Sequence, residues 1–139
     1  MREENCIFCK LANGEIPSAT VYEDEAFRVI LDLNPATRGH ALILPKEHFE
    51  NVFEMPEEWV TGAFALARKM AKKMKDALKC DGFNLVQNNG EAAGQTVMHF
   101  HMHMIPRYAN GPQMVLWNPG KLDDTEKTEI IENVKKELE

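Results

Sequence analysis

The stretch His99-Phe100-His101-Met102-His103-Met104-Ile105 constrains this chain more than any other. Three of the five histidines fall here, at alternate positions. Alternation is the period of a β-strand, so the imidazoles are expected on one face and Phe100, Met102 and Met104 on the other, against a core. At a rise of about 3.3 Å per residue, neighbouring histidines stand about 6.6 Å apart and the outer pair about 13 Å apart. No single phosphorus atom can touch all three. The spacing favours one reactive imidazole, His101, whose neighbours orient it or hold its substrate. A solvated strand face is the plain alternative, but histidine has no strand preference that would recruit three of them.

Around this stretch the chain reads as one domain, with a core over residues 6–107 and an extension over 108–139. A short helix is expected over 3–13, closed by Asn13-Gly14, with Cys6 and Cys9 one turn apart on one side. Thr20–Tyr22 and Phe27–Leu31 form a hairpin across the turn Glu23-Asp24-Glu25, and His40–Leu44 is a third strand stopped by Pro45. From Pro56 to about Lys79, Val60, Phe64, Ala67, Met70, Ala71, Met74 and Leu78 recur at helical spacing, which predicts one long amphipathic helix ended by Asp81-Gly82. Phe83–Gln87 is a fourth strand. The loop 88–94 leads into the histidine strand, 107–120 is irregular, and Asp123-x-x-Glu126 resembles a capping box that opens a final helix through about Leu138. This order predicts an α+β protein with about five antiparallel strands and one principal helix on one face. A sheet of that size leaves an edge or face open, so a dimer is expected.

Composition narrows the partners. A net charge of −6 speaks against indiscriminate binding to nucleic acid or anionic membranes. No apolar run approaches membrane-spanning length, and Met1 is followed by Arg2, Glu3 and Glu4, unlike a secretory leader, so a cytoplasmic location is expected. In that setting three cysteines, two of them as Cys6-x-x-Cys9, suggest metal or free thiols rather than a disulfide scaffold. A small anionic ligand remains compatible with the net charge, because backbone amides and imidazoles hold phosphate locally. Gly94 permits close backbone approach, and Gln95 and Thr96 offer side-chain donors to phosphate oxygens, directly before the strand that carries His101. A histidine that attacks phosphorus must be neutral at one nitrogen with the proton on the other fixed by a hydrogen bond, which a strand carbonyl can accept.

His99-Phe-His101-Met-His103-Met-Ile resembles the signature of the histidine-triad (HIT) family. So do, in order, Cys6-Ile-Phe-Cys9-Lys, Gly14-Glu-Ile-Pro17-Ser, Val21-Tyr-Glu-Asp24, Gly39-His40-Ala-Leu-Ile-Leu-Pro45-Lys-Glu-His48 and Asn88-Asn-Gly-Glu-Ala-Ala-Gly94-Gln95. The resemblance covers roughly residues 6–107. It implies a nucleotide hydrolase or transferase that acts at the α-phosphate of adenine or other purine nucleotides through a covalent nucleotidyl-histidine. Carried over residue by residue, His101 is the nucleophile, His99 and His103 flank it, and His40 helps set the imidazole. Asn88, Gly94, Gln95 and Thr96 meet the phosphates, Asp32 the ribose hydroxyls, and Phe27 and Leu33 the base. The family's usual homodimer with joined sheets agrees with the open edge.

Some bacterial members bind zinc through a Cys-x-x-Cys, the histidine after the Pro-Lys segment and the first triad histidine. Those positions are Cys6, Cys9, His48 and His99, and such a site would be closed and structural. No catalytic metal is implied. Thr96 stands where many members have serine and keeps the hydroxyl. Ile105-Pro106-Arg107 is similar to members that cleave dinucleoside polyphosphates, whereas Leu116-Trp117-Asn118-Pro119-Gly120 resembles the tail of the phosphoramidase branch. Adenosine phosphoramidates and diadenosine polyphosphates both remain open as substrates. A zinc-stabilised nucleotide-sensing module without turnover is the alternative from another functional class. A metallohydrolase with a triad-bound metal is a third; no carboxylate between Gly94 and Arg107 serves it locally.

Overall fold

The computed structural model describes residues 1–112 and 117–139. A five-stranded antiparallel sheet forms from β1 (Thr20–Glu23), β2 (Phe27–Leu31), β3 (Ala41–Pro45), β4 (Gly82–Gln87) and β5 (Met102–Arg107), in the order β1-β2-β3-β5-β4. Among the described residues three α-helices accompany it: α1 (Ile7–Ala12), α2 (Glu57–Leu78) and α3 (Asp124–Leu138). The fold class, element order and long helix agree with expectation.

Side-chain parity separates two faces. Phe27 and Val29 of β2, Ala41 and Ile43 of β3, and Met102 and Met104 of β5 pack on Ala63, Leu66, Ala67, Met70 and Met74 of α2. Ile30, Leu42 and Leu44 point the other way, onto Ala12, Phe8 and Leu11 of α1. His101 and His103 share that second face by parity. It is therefore a partly roofed face, not the open row of imidazoles that alternation suggested.

Several boundaries move for physical reasons. The histidine strand begins only at Met102, because β3 pairs with β5 through Ile43 opposite Met102, and Pro45, two residues on, has no N–H to continue the ladder. His99 to His101 stay outside the ladder, held where the Phe100 N–H donates to the Phe49 carbonyl at 2.7 Å. The first helix spans Ile7–Ala12 rather than 3–13, with Cys6 at its N-cap and its sulfur accepting the Cys9 N–H. Lys79, in the left-handed region at φ 56°, terminates α2, while Gly82 already belongs to β4. Phe64 is exposed although its spacing placed it with the buried stripe. Asp123 caps α3 as the sequence implies, accepting the Glu126 N–H at 2.8 Å. Residues 113–116, including Leu116 of the tail motif and part of the irregular stretch 107–120, lie outside the described residues.

Candidate active site

Every described histidine ring has its bonding set by neighbours, and two kinds of neighbour leave no choice. A backbone N–H can only donate and a backbone carbonyl can only accept. The Ala36 N–H lies 2.9 Å from His40 Nδ1, so that nitrogen carries a lone pair and, in the neutral ring, Nε2 carries the proton. His40 Nε2 then donates to His103 Nδ1 at 2.9 Å, which puts the His103 proton on Nε2. His101 Nδ1 donates to the His99 carbonyl at 2.8 Å and keeps a lone pair on Nε2. His99 Nε2 donates to the Pro45 carbonyl at 3.0 Å, leaving Nδ1 as a lone pair. Four tautomers follow from three backbone groups and one ring-to-ring bond.

Burial keeps these rings neutral. Desolvation pushes the pKa of His99 and that of His103 down to about 4, and lowers those of His101 and His40. The unfolded chain, with histidines near 6.5, takes up protons first as pH falls, so stability is lost from pH 6.5 downward through the folded values near 4. Tm should therefore drop between pH 7 and 4.5, and His103→Asn, which cannot titrate there, should flatten that dependence. A variant as pH-sensitive as the parent would show that His103 carries none of it.

Asp32 supplies the carboxylate missing from the local sequence. Its Oδ2 lies 3.7 Å from His40 Nε2, and Asp32, His40 and His103 bring their ligand atoms within 4.8 Å of one another. The proton that Ala36 imposes on His40 Nε2 fills the space between the two rings. This cluster reads as a hydrogen-bond relay rather than a cation site. Asp32 also opens a hollow of about 290 Å³ lined by Phe8, Leu11, Ile30, Leu33 and Leu42. Phe8 packs edge-on against the His101 ring, 4.9 Å between centroids at 85°.

The structure corrects two of the expected contacts. Phe27 lies in the α2-side core, 5.5 Å from the Trp59 ring and across the sheet from Asp32 and Leu33, so it forms no wall of the hollow. Phe8, Leu11, Ile30 and Leu42 stand there instead; the Phe8/Leu11 pair at helical spacing was the available signal. Phe27→Leu should lower Tm while leaving nucleotide KM within about twofold. A larger KM change at full stability would return Phe27 to the base site. Gln95 is 2% exposed and fully engaged: Nε2 donates to the Glu50 and Val97 carbonyls at 2.6 and 3.0 Å, and Oε1 accepts the Gly90 N–H. It braces the loop and has no donor left for phosphate. Gly94 does take a left-handed conformation (φ 95°), with Asn88 beside it, and Thr96 stands exposed.

The remaining cluster is a donor set for a metal. Cys6 Sγ lies 3.4 Å and Cys9 Sγ 3.5 Å from His99 Nδ1, and Cys9 Sγ lies 3.5 Å from His48 Nδ1. All four ligand atoms fall within 4.8 Å of one another. Tetrahedral zinc with Zn–S near 2.3 Å and Zn–N near 2.0–2.1 Å requires ligand atoms roughly 3.3–3.8 Å apart, so the residues fit. The His99–Pro45 bond points the correct nitrogen inward, as ligating histidines require. Burial raises the Cys9 thiol pKa here, partly offset by the Glu3 N–H at its sulfur.

An antiparallel sheet with His103 on β5 and His99 and His101 in the segment that leads into it, a fourth histidine behind them and a Gly-Gln-Thr loop ahead, defines the histidine-triad class. Residues 13–110 match the HIT domain model, and the chain belongs to that family. Protein hit of Bacillus subtilis is 45% identical over 132 residues, covering 94% of this chain and 90% of its own. The adenosine 5'-monophosphoramidase HNT1 of Saccharomyces cerevisiae is 38% identical over 122 residues, 88% of this chain and 75% of its own. Among solved structures, a Streptococcus mutans protein superposes with TM-score 0.92 at 41% identity, over 99% of this chain and 87% of its own. A zinc-bound histidine triad family protein of Mycobacterium smegmatis superposes with TM-score 0.76 at 38% identity, over 89% and 87% of the two chains.

Proposed function

We propose that this protein is a nucleotide hydrolase or transferase that acts at the α-phosphate of adenine or other purine nucleotides, through a covalent nucleotidyl-His101. The supporting observation is the tautomer of His101, whose proton is committed to the His99 carbonyl and whose Nε2 lone pair is free. That lone pair attacks phosphorus, a P–N bond forms, and the bond to the leaving group breaks with its electron pair. His103 Nε2–H donates a hydrogen bond to the leaving group or a phosphate oxygen, and the departing group takes its proton from solvent. The imidazole becomes cationic on nucleotidylation, and the His99 carbonyl at Nδ1 stabilises that charge where it develops. Water then attacks phosphorus and gives up a proton to solvent, the P–N bond breaks, and the bonding pair returns to Nε2 as its lone pair.

The other residues bind and orient. The base enters the hollow of Phe8, Leu11, Ile30 and Leu33, the ribose hydroxyls meet Asp32, and Asn88, Gly94 and Thr96 border the phosphates, with Gln95 holding that loop in shape. Cys6, Cys9, His48 and His99 hold a structural zinc ion, whose role is to tie α1 to the triad; the attack on phosphorus needs no metal. The yeast phosphoramidase supports an adenylate substrate, and the Mycobacterium protein supports zinc. We place the protein in the cytoplasm as a homodimer joined through the β4 edge, where Leu85 is 42% exposed. No described helix is long and apolar enough to cross a membrane.

The test is intact mass and peptide mapping, quenched in alkali, after brief incubation with an adenosine phosphoramidate and with a diadenosine polyphosphate, in buffer without added divalent metal. A gain of one adenylate on the His101 peptide is the expected result, and the better substrate identifies the leaving group. No adduct and no product from either would overturn the enzyme reading. A pocket that still bound AMP would then be a nucleotide-sensing module.

A further inference from the structure

We propose that α1 couples the Cys6-Cys9-His48-His99 group to the nucleotide hollow, with Phe8 as the residue that positions the His101 ring. This rests on the nucleotide and zinc readings above. Six residues are too few for a helix to hold itself, so α1 depends on its anchors. At one end both thiols belong to the metal group: Cys6 is the N-cap and Cys9 lies in the first turn. At the other, Ala12 is buried against Ile30, Leu42 and Leu44, and the Asn13 side-chain amide donates to the Lys46 carbonyl at 2.9 Å.

Between these ends stands Phe8, which touches both systems. Its ring is edge-on to His101 at 4.9 Å and to His99 at 6.0 Å, and its side chain lines the hollow. His101 has one fixed polar anchor, the Nδ1–H bond to the His99 carbonyl. The plane of its ring is set by packing, with Phe8 as one neighbour and the His103 ring, 5.1 Å away, as another. His99 thus gives its ring nitrogen to the metal group and its carbonyl to the nucleophile. Without an ion, the polar links from Cys6 and Cys9 to His48 and His99 are sulfur–nitrogen contacts of 3.4–3.5 Å. An ion bound by all four tightens α1, and Phe8 transmits that to His101 and to the base. Linkage then requires AMP to raise metal affinity by the same factor that metal raises AMP affinity.

The experiment uses the full chain, zinc-loaded and chelator-stripped, with AMP binding followed by calorimetry and the His101 ring nitrogens followed by NMR. Zinc-loaded protein should bind AMP about tenfold more tightly than stripped protein, and AMP should raise cobalt(II) affinity by a matching factor. The His101 ring should show a single Nδ1–H tautomer when loaded and averaged nitrogen shifts when stripped. Phe8→Ala should bind zinc normally and show the averaged ring even when loaded; Phe8→Tyr should restore the single tautomer. Equal AMP affinity with an unchanged His101 ring in both forms, or a Phe8→Ala variant with a native ring, would overturn the coupling. If AMP bound neither form while the ring still responded to zinc, the coupling would stand and the nucleotide reading would fall. Failure of zinc or cobalt(II) to bind at all would overturn both the zinc reading and the coupling. Should the stripped protein unfold, the zinc-loaded Phe8→Ala comparison decides alone.

Discussion

His101→Ala is expected to remove turnover, lowering kcat by about 10⁴-fold or more while nucleotide affinity stays within about tenfold. The asymmetry follows from geometry. The base and ribose contacts assigned to Phe8, Leu11, Ile30, Asp32 and Leu33 do not pass through His101, whereas no other described ring offers a proton-free nitrogen in its place: His103 Nε2 carries a proton and His99 Nδ1 faces the thiols. Single-turnover kinetics with a phosphoramidate, beside AMP calorimetry, would check it. Equal losses of rate and affinity would make His101 a binding residue. Residual activity near that of the parent would assign the nucleophile elsewhere.

Phe100→Ala should have the largest effect on stability. Phe100 heads the fully buried side chains, at 1% exposure, and sits between the two histidines that lie outside the ladder. Removing its ring leaves a cavity on the α2 side of the sheet, which costs about 3–5 kcal/mol for a buried Phe→Ala change. For a chain of this size that lowers Tm by roughly 10–20 °C. Thermal unfolding followed by circular dichroism checks it. A fall of only a few degrees would mean that the segment before β5 is held by its hydrogen bonds, the Phe100 N–H to the Phe49 carbonyl among them, rather than by its buried ring.

The order of elements, the long helix and the cap of α3 were legible in the sequence because each depends on local chemistry. Helical spacing needs only neighbours three and four apart, and Asp123 finds its partner three residues on. The family motifs likewise named the residues that converge: Cys6, Cys9, His48 and His99 come from three distant parts of the chain, yet their donor atoms meet.

The face that each strand residue takes was not legible. β3 is buried at every position and β2 at Phe27, Val29 and Ile30, because α2 covers one face and α1 part of the other, so the apolar runs lose their alternation. Phe27 and Ile30 look alike in sequence but lie on opposite sides of the sheet, and only Ile30 reaches the hollow. Gln95 offers three hydrogen-bonding groups in sequence, and folding engages them with Gly90, Glu50 and Val97.

The sequence by itself determined which residues carry the chemistry: the alternating histidines, the paired cysteines and the loop before the triad. Tertiary structure alone decided what each can do. Ala36, His99 and Pro45 fix where three of the ring protons lie; Pro45 stands 54 residues from the ring it sets, and His40 sets the His103 ring from 63 residues away. Reactivity at His101 depends on which nitrogen is left bare, and the folded backbone decides that by turning the His99 carbonyl, two residues back, onto Nδ1.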